Sequence, residues 1–172
     1  MKIKVVIADI TTVPVEVIVN AANEFLRGGG GVDGAIHRAA GPGLLEECRE
    51  LNRCPVGEVA LTGGHNLPAK YVIHAVGPRW QDGKQNEAGL LASCYRRSIQ
   101  MAESLSASGI AFPAISTGIF RFPSDLAANI AVKTVLGTLD EPSSLREIIF
   151  CCFSDSDLAA YERVIADQLS LG

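Results

Sequence analysis

The sequence has no excess of positive charge. Its 172 residues include 15 Lys and Arg against 19 Asp and Glu, and the formal net charge is -4. Proteins that bind nucleic acid rely largely on basic surfaces that neutralise the phosphate backbone, and this chain has too few cations for that. We therefore expect no nucleic-acid partner. An anionic ligand would have to be held mainly by backbone N–H groups and an occasional arginine.

Metal-binding and disulfide patterns are also missing. The five cysteines are Cys48, Cys54, Cys94, Cys151 and Cys152, an odd number without any Cys-x-x-Cys pair. Such residues are typical of small core side chains in a reducing compartment rather than of a disulfide framework or a zinc site. His65 and His74 have no Cys, Asp or Glu at metal-ligand spacing, which favours a structural role for both. The sequence predicts no metal site and no cofactor.

No apolar run reaches the length of a membrane-spanning helix. The first residues also do not resemble a secretory signal, because Asp9 comes before an apolar core could form. We expect a soluble cytoplasmic protein without a membrane partner. With 48% hydrophobic residues and no internal repeat or low-complexity tract, the chain has enough apolar surface for one domain over residues 1–172.

Several nucleotide-binding and hydrolase motifs are absent. No Gly-Lys-Ser or Gly-Lys-Thr occurs, which excludes a P-loop, and no Gly-x-Ser-x-Gly occurs to present a nucleophilic serine. Gly29, Gly31 and Gly34 do have the Gly-x-Gly-x-x-Gly spacing of dinucleotide-binding proteins. However, residues 21–27 separate them from the preceding strand, and no acidic residue ends a second strand about 20 positions later. The pattern therefore argues against a dinucleotide-dependent oxidoreductase.

Strand and helix patterns alternate along the chain. Strands are predicted at residues 3–8, 15–19, 56–62, 71–76, 110–115 and 146–153. Helices are predicted from near Asp33 to 40, at 44–51 and 87–108, from Ser124 or Asp125 to 136, and from Ser156 or Asp157 to 169. The alternation predicts an α/β fold with helices on both faces of a mostly parallel sheet. Ligands of such sheets bind at the carboxyl ends of the strands, where Asp9 and residues 20–34, 116–122 and 153–155 lie.

Four successive glycines, Gly28 to Gly31, follow the second predicted strand. Glycine loses more backbone freedom on folding than any other residue, so such a run is costly to order. In return, bare backbone N–H groups can approach an anion closely, and the helix start that follows adds its positive dipole end. The pattern predicts a phosphate or pyrophosphate loop, with the polar side chains of Asn23 and Asp33 on either side.

Two interpretations of Asp33 stay open. Aspartate is a good N-cap, and a helix is predicted to start directly after this position. The same helix start would keep the carboxylate ionised with a low pKa, able to orient a ribose hydroxyl or a water. His37 lies four residues on, on the same helical face, as a packing residue or a catalytic one. Ser116 and Thr117 have no neighbouring base in the sequence, so phosphate hydrogen bonding suits them better than nucleophilic attack.

Four motifs carry a family resemblance: Asn20-Ala21-Ala22-Asn23, Gly28 to His37, Val72 to Pro78, and Phe112 to Ile119. Together they resemble macrodomains of the MacroD type, the O-acetyl-ADP-ribose deacetylase group, over nearly the whole chain. The resemblance implies a three-layer α/β/α sandwich with a mixed, largely parallel six-stranded sheet and a cleft for ADP-ribose. It also implies a hydrolase of O-acetyl-ADP-ribose that removes ester-linked mono-ADP-ribose from acidic side chains of proteins. Its partners would be ADP-ribose, O-acetyl-ADP-ribose and mono-ADP-ribosylated proteins.

The same resemblance implies roles for individual residues. Asp9 would accept the adenine amino group beside the backbone of Ile10, and Phe153 would lie near the adenine face. The catalytic residues, which would hold the distal ribose and the attacking water, are Asn23, Asp33 and, in support, His37. The pyrophosphate would be wrapped by the backbone of Gly30, Gly31, Val32, Ser116, Thr117, Gly118, Ile119 and Phe120.

The chain departs from the family pattern at two positions. The family usually has glycine before the adenine-binding aspartate, where this chain has Ala8. We expect this change to be tolerated if the backbone φ is negative there. The second loop usually has glycine between its two aromatic residues, and Arg121 replaces it. Arg121 could add a charge contact to phosphate or narrow the cleft.

Two functions stay open at the level of sequence. As an enzyme, the chain would place a water between Asp33, Asn23 and the pyrophosphate, without a covalent intermediate, since no activated serine or cysteine is found. As a non-catalytic reader, it would bind ADP-ribose through the same adenine and pyrophosphate contacts. The presence of Asn23, Asp33 and His37 together favours the enzyme.

Overall fold

A six-stranded sheet forms the middle layer of the computed structural model, which describes residues 1–170. The strands are β1 (Lys2–Ile7), β2 (Val17–Ala21), β3 (Val59–Gly63), β4 (Tyr71–Ala75), β5 (Gly109–Phe112) and β6 (Glu147–Cys152). Their spatial order is β1-β6-β5-β2-β4-β3, and every neighbouring pair is parallel except β3 with β4. The predicted mixed, largely parallel sheet is therefore confirmed. Leu171 and Gly172, the last residues of the predicted domain range, lie outside the described residues.

Helices cover both faces of this sheet. They are α1 (Gly31–Ala40), α2 (Pro42–Leu51), α3 (Glu87–Ser104), α4 (Ser124–Thr138) and α5 (Asp155–Ser170), with a short 3-10 helix at Ile10–Thr12. Side chains of a strand alternate between faces. Val17 and Val19 of β2 accordingly pack in one core with α3, α4 and α5, whereas Ile18 packs in a second core with α1 and α2. The three-layer α/β/α architecture is confirmed. None of the helices within residues 1–170 combines the length and the apolar composition needed to cross a membrane.

The central strands are buried on both faces, as their mainly apolar sequences predict. Val17, Ile18 and Val19 are at most 1% exposed. All five cysteines are buried and free, which confirms their predicted role as core residues. Burial raises the pKa of the Cys94 thiol to about 12, so this sulfur stays a neutral packing atom.

Three predicted boundaries were wrong by several residues, one of them the start of β3, which is Val59 rather than 56. α3 ends at Ser104 rather than at 108, because the chain turns through Ser106, which has a φ of +55°, to enter β5 at Gly109. β5 ends at Phe112 rather than at 115, since Pro113 follows and has no N–H for the ladder. The apolar pattern runs through the ends of α3 and β5 and does not mark them.

The residues predicted to start the last two helices do not cap them with their side chains. α5 is capped by Ser154, whose hydroxyl oxygen accepts the N–H of Asp157 at 3.2 Å, and not by Ser156 or Asp157. α4 begins at Ser124 itself, and no side chain caps it. Serine and aspartate near a helix start thus marked the start only to within one turn.

Candidate functional site

The predicted site residues follow the carboxyl ends of neighbouring strands. Asp9 and Ile10 follow β1, Asn23 follows β2, Ser116 follows β5, and Phe153 follows β6. Because β1, β6, β5 and β2 are parallel neighbours in the sheet, these ends share one edge. The fold therefore gathers residues that are up to 144 positions apart, from Asp9 to Phe153, along one rim.

The glycine loop leads directly into α1. The helix begins at Gly31 with Gly30 as its cap, and no side chain caps it. The N-cap role considered for Asp33 was wrong, because Asp33 lies in the first helical turn. Among residues 1–170, no group accepts the N–H of Gly31 or of Val32. Free N–H groups at the positive end of a helix are what an anion needs.

Open space lies in front of this loop, and tight packing lies behind it. A Cβ on Gly30 or Gly31 would have no neighbouring atom within 4 Å. Gly31 also has a φ of +58°, which favours glycine. On the other side, a Cβ on Gly34 would collide with the carbonyl oxygen of Gly29. The loop therefore lies directly on α1 and leaves its outer side accessible.

A second loop, residues 116–122, follows β5. Ser116 has a φ of +67°, and its buried hydroxyl lies against Gly77, where a Cβ would not fit. The hydroxyl of Thr117 donates to the carbonyl of Ala114 at 3.3 Å. The Ser116 hydroxyl is thus buried, and the Thr117 hydroxyl already donates a hydrogen bond within the loop. The N–H groups of residues 117–120 find no acceptor in the part of the chain that the structure describes, so backbone rather than hydroxyl groups would meet a phosphate.

Asp33 is the buried acid of the site, with 6% of its surface exposed. Its Oδ1 accepts a hydrogen bond from Asn20 Nδ2 at 2.8 Å, and His37 Nε2 lies 3.5 Å from the same oxygen. Burial raises the pKa of Asp33 by more than the Asn20 hydrogen bond and the His37 ring lower it. The expected low pKa was therefore wrong, because lost hydration outweighs the helix start. A carboxylate with a raised pKa is the stronger base.

Asn20 joins Asp33 to a buried polar chain. Its Nδ2 lies 3.1 Å from His74 Nδ1, and His74 Nε2 lies 2.9 Å from Thr62 Oγ1. Because an amide nitrogen can only donate, His74 carries its proton on Nε2 and donates to Thr62, whose hydroxyl donates to the Gly63 carbonyl. Burial, with His37 nearby, lowers the pKa of His74 to about 3, so the ring is neutral. The structural role predicted for His74 is confirmed.

Asn23 closes the turn that precedes the glycines. Its Oδ1 accepts the N–H of Phe25 at 3.0 Å, and its Nδ2 donates to the Gly28 carbonyl at 2.9 Å. A Cβ on Gly29 would lie 3.7 Å from Asp33 Oδ2 and 4.0 Å from Asn23 Nδ2. The structure therefore brings the predicted pair together beside Gly29. It also shows that Asn23 shapes the loop, which its sequence position alone did not reveal.

The other end of the rim holds Asp9 and Phe153. Asp9 Oδ1 accepts both the N–H of Thr11 at 3.0 Å and its hydroxyl at 2.7 Å, which caps the short 3-10 helix. Phe153 is 71% exposed. The two residues follow strand ends that pair with each other, Ile7 with Cys152. An exposed ring thus lies one strand away from a fixed carboxylate, a combination suited to a flat base with an amino group.

The two departures from the family pattern differ in their backbone. Ala8 does not have a positive φ, so alanine can replace the usual glycine at this position without backbone strain. Arg121 has a φ of +61°, a conformation that costs a residue with a Cβ about 1–2 kcal/mol. Its N–H donates to the Gly118 carbonyl at 3.0 Å and holds the turn closed. The missing glycine therefore leaves strain in the second loop.

The arrangement combines anion-binding N–H groups with one buried carboxylate. Within residues 1–170, no three His, Cys, Asp or Glu side chains come close enough together to hold a metal ion. The sequence pointed to Asn23, Asp33 and His37, and all three lie at the glycine loop. It missed Asn20 as the partner of Asp33. The first asparagine of Asn20-Ala21-Ala22-Asn23, a polar residue ending a buried strand, was the available signal.

Comparison with known proteins identifies the family. The family model of the Macro domain matches residues 19–131, more than half of the chain. The chain belongs to the Macro domain family. This macrodomain is 56% identical to a Macro domain-containing protein of Chlorobaculum tepidum, with 92% of each chain covered. It is 48% identical to the O-acetyl-ADP-ribose deacetylase of Klebsiella pneumoniae, with 95% of each covered. The Oceanobacillus iheyensis macrodomain with ADP matches at a TM-score of 0.92 and 40% identity, covering 98% of this chain and 92% of that one.

Proposed function

We propose that this macrodomain binds ADP-ribose and hydrolyses its O-acyl esters, with O-acetyl-ADP-ribose as the reference substrate. The observation that carries the proposal is the place of Asp33. A buried carboxylate with a raised pKa lies directly behind a loop of free backbone N–H groups. A site that only bound a diphosphate would gain nothing from a buried negative charge so close to it.

Binding would use both loops. Free N–H groups at the start of α1 and at residues 117–120 are the donors for the pyrophosphate. Asp9 and Phe153, at the other end of the rim, are the proposed contacts of the adenine. The distal ribose would then reach Asn23 and Asp33. The solved relative that holds ADP supports binding of a nucleoside diphosphate, and the relative named as a deacetylase supports cleavage of an ester.

Hydrolysis would proceed by direct attack of a water. Asp33 Oδ2 faces the loop while Oδ1 is held by Asn20, so Oδ2 is the proposed proton acceptor. The water oxygen bonds to the ester carbonyl carbon, its proton passes to Asp33, and the bond from the carbonyl carbon to the ribose oxygen breaks. The ribose oxygen takes up a proton, which leaves ADP-ribose and a carboxylic acid. Positioning by the bound pyrophosphate supplies much of the rate.

The same site would act on proteins whose acidic side chains carry mono-ADP-ribose as an ester. These linkages present the same ribose and pyrophosphate with a larger carboxyl partner. The glycine loop is exposed on its outer side, so it does not itself close the site against a larger group. This extension of the substrate range is part of the proposal.

The test is acetate release from O-acetyl-ADP-ribose by the purified chain, with ADP-ribose binding measured by calorimetry. The proposal expects catalytic turnover together with saturable binding. Binding without acetate release would identify a non-catalytic reader instead. A protein ester-linked to ADP-ribose on glutamate, assayed in parallel for released ADP-ribose, tests the wider substrate range.

A further inference from the structure

A cavity of about 430 Å³ opens beside Asn23, between the carboxyl ends of β2 and β4. Its apolar lining consists of Phe25, Val56, Val76, Pro78, Leu90 and Phe120. Asn23 belongs to the proposed catalytic pair and Phe120 to the proposed pyrophosphate loop. The cavity is therefore continuous with the end of the site at which an ester would be cleaved.

The acidic residues around this cavity already have partners within the protein. Glu87 is 1% exposed, and its carboxylate accepts four backbone N–H groups, those of residues 81, 82, 83 and 85, at 2.7–3.2 Å. Glu24 forms an ion pair with Arg53 at 3.2 Å, and the Arg53 guanidinium lies 5.0 Å from the ring centre of Phe25. The Glu87 carboxylate is thus fully bonded within the protein, and Glu24 is paired at the surface. Gln81 and Gln85 complete the polar part of the lining, beside the six apolar side chains.

Arg79 also lines the cavity, and its side chain is exposed. Its guanidinium lies 4.7 Å from the ring centre of Phe120. The next residue, Trp80, donates its N–H to the Phe120 carbonyl at 2.8 Å and packs edge-on against Phe122 at 4.9 Å between ring centres. Phe120 is thus fixed from two sides as one wall of the cavity.

The cavity is larger than an acetyl group requires. At about 30 Å³ for each non-hydrogen atom, taking a liquid water as the measure, the three atoms of an acetyl group need about 90 Å³. Six apolar side chains border the remaining space, together with the polar residues of the lining. Resting on the proposed function, we propose that this cavity binds the acyl part of ADP-ribose esters and selects uncharged aliphatic chains longer than acetyl.

The experiment compares acetyl, propionyl and butyryl esters of ADP-ribose, each rate being divided by the uncatalysed hydrolysis of the same ester. Each added CH2 buried in the cavity is expected to raise kcat/KM about threefold to fourfold, or about tenfold from acetyl to butyryl. A succinyl ester is the matched control, because it has the four carbons of butyryl but ends in a carboxylate. Succinyl is expected to be hydrolysed at least tenfold more slowly than butyryl.

Two variants test whether the preference for longer acyl chains arises in this cavity. Leu90→Gln and Val56→Thr keep side chains of similar size but remove apolar contact, and both should bring the butyryl to acetyl ratio close to one. Leu169→Gln, a change of an exposed leucine on α5, is the control and should leave that ratio at the wild-type value. The ratio is an internal measure, so a general loss of folded protein does not mimic the effect.

The outcomes separate this inference from the proposed function. Hydrolysis of all three neutral esters at equal corrected rates, or faster hydrolysis of succinyl than of butyryl, would overturn the inference and leave the hydrolase intact. If no ester is hydrolysed, the proposed function fails. In that case the affinities of the intact esters for the Asp33→Ala variant test the acyl cavity by itself. Tighter binding of the butyryl ester than of the acetyl ester supports the inference, and equal binding overturns it.

Discussion

Asn20 Nδ2 donates to Asp33 Oδ1 at 2.8 Å while lying 3.1 Å from His74 Nδ1. One buried amide thus uses both of its hydrogens, one for the acid of the site and one for a neutral histidine. This contact is among the causes that lower the pKa of Asp33, against the larger effect of burial. Asn20 therefore sets both the direction of the carboxylate and the ease with which it takes up a proton.

Replacing Asn20 tests this link. Asn20→Ala removes a contact that favours the ionised form, so the pKa of Asp33 rises further. Because the base must be ionised, the acid limb of the kcat/KM profile for O-acetyl-ADP-ribose should move to higher pH. The free energy of unfolding should fall by about 1–3 kcal/mol, as buried partners lose a hydrogen bond.

The control for Asn20 is Thr62→Val, which cuts the same chain at its other end. It leaves His74 Nε2 without its acceptor at 2.9 Å and should destabilise the fold by a similar amount. It does not touch Asp33, so the acid limb should stay in place. A profile that shifts equally in both variants would show that the Asn20 contact has no specific role.

Asp33 itself should separate catalysis from binding. Asp33→Ala should lower kcat by about 10²–10⁴-fold, the usual loss for a general base. Affinity for ADP-ribose, measured by calorimetry, should stay measurable because the backbone donors remain. Asp33→Asn should lose activity equally but not stability, since a carboxyl with a raised pKa destabilises the fold once ionised at neutral pH. Wild-type turnover by either variant contradicts the assigned role.

The glycine loop can be tested without disturbing the fold. A Cβ at Gly30 meets no atom within 4 Å, and its φ of -92° suits any residue, so Gly30→Ala should fold normally. The methyl group would occupy space proposed for the pyrophosphate and should weaken ADP-ribose binding at least tenfold. Gly137→Ala, equally unhindered but on α4, should bind as the wild type does. Equal affinities for the two variants would place the ligand elsewhere.

Arg121 should be a site of stored strain. Arg121→Gly relieves a left-handed conformation that costs about 1–2 kcal/mol, against about 0.4–1 kcal/mol for the extra freedom of glycine when unfolded. Urea unfolding should therefore show a net gain of roughly 0.5–1 kcal/mol. Arg96→Gly, an exposed change inside α3, should instead lose about 1 kcal/mol. A loss at both positions would mean that Arg121 makes contacts worth more than its strain.

His74 should make the fold sensitive to acid. The folded ring has a pKa of about 3, whereas an unfolded histidine titrates near 6.5. Below pH 6.5 the unfolded chain thus binds a proton that the native chain does not, and stability falls toward pH 3 by about 1.4 kcal/mol per pH unit for this group. In His74→Gln, the free energy of unfolding, measured with denaturant between pH 6 and 4, should fall with pH less steeply by that amount. Parallel curves would refute the assignment.

The fold could be predicted from the sequence because its signals are strong and local. Buried parallel strands such as β5 appear as short apolar runs, and most loops between elements contain glycine or proline. The ends of strands and helices were predicted less accurately than their presence. The run from Ile110 to Ile115 is apolar throughout, yet only residues up to Phe112 pair in the sheet.

The site was predictable as far as loops and residue types are concerned. Its electrostatics were not, because they depend on burial and on partners distant in sequence. The sequence suggested a helix cap or an ionised carboxylate with a low pKa for Asp33. In the fold the side chain is buried, and this burial raises its pKa by more than the Asn20 hydrogen bond lowers it. The Asn20 to His74 contact spans 54 residues and arises only from the pairing of β2 with β4.

The most direct test of the account is a crystal structure of the chain with ADP-ribose. The account predicts pyrophosphate oxygens within about 2.7–3.2 Å of the backbone nitrogens of Gly31 and Val32 and of residues 117–120. It also predicts the distal ribose beside Asn23 and Asp33. A nucleotide bound at another edge of the sheet, or a pyrophosphate that leaves these nitrogens without contact, would contradict it.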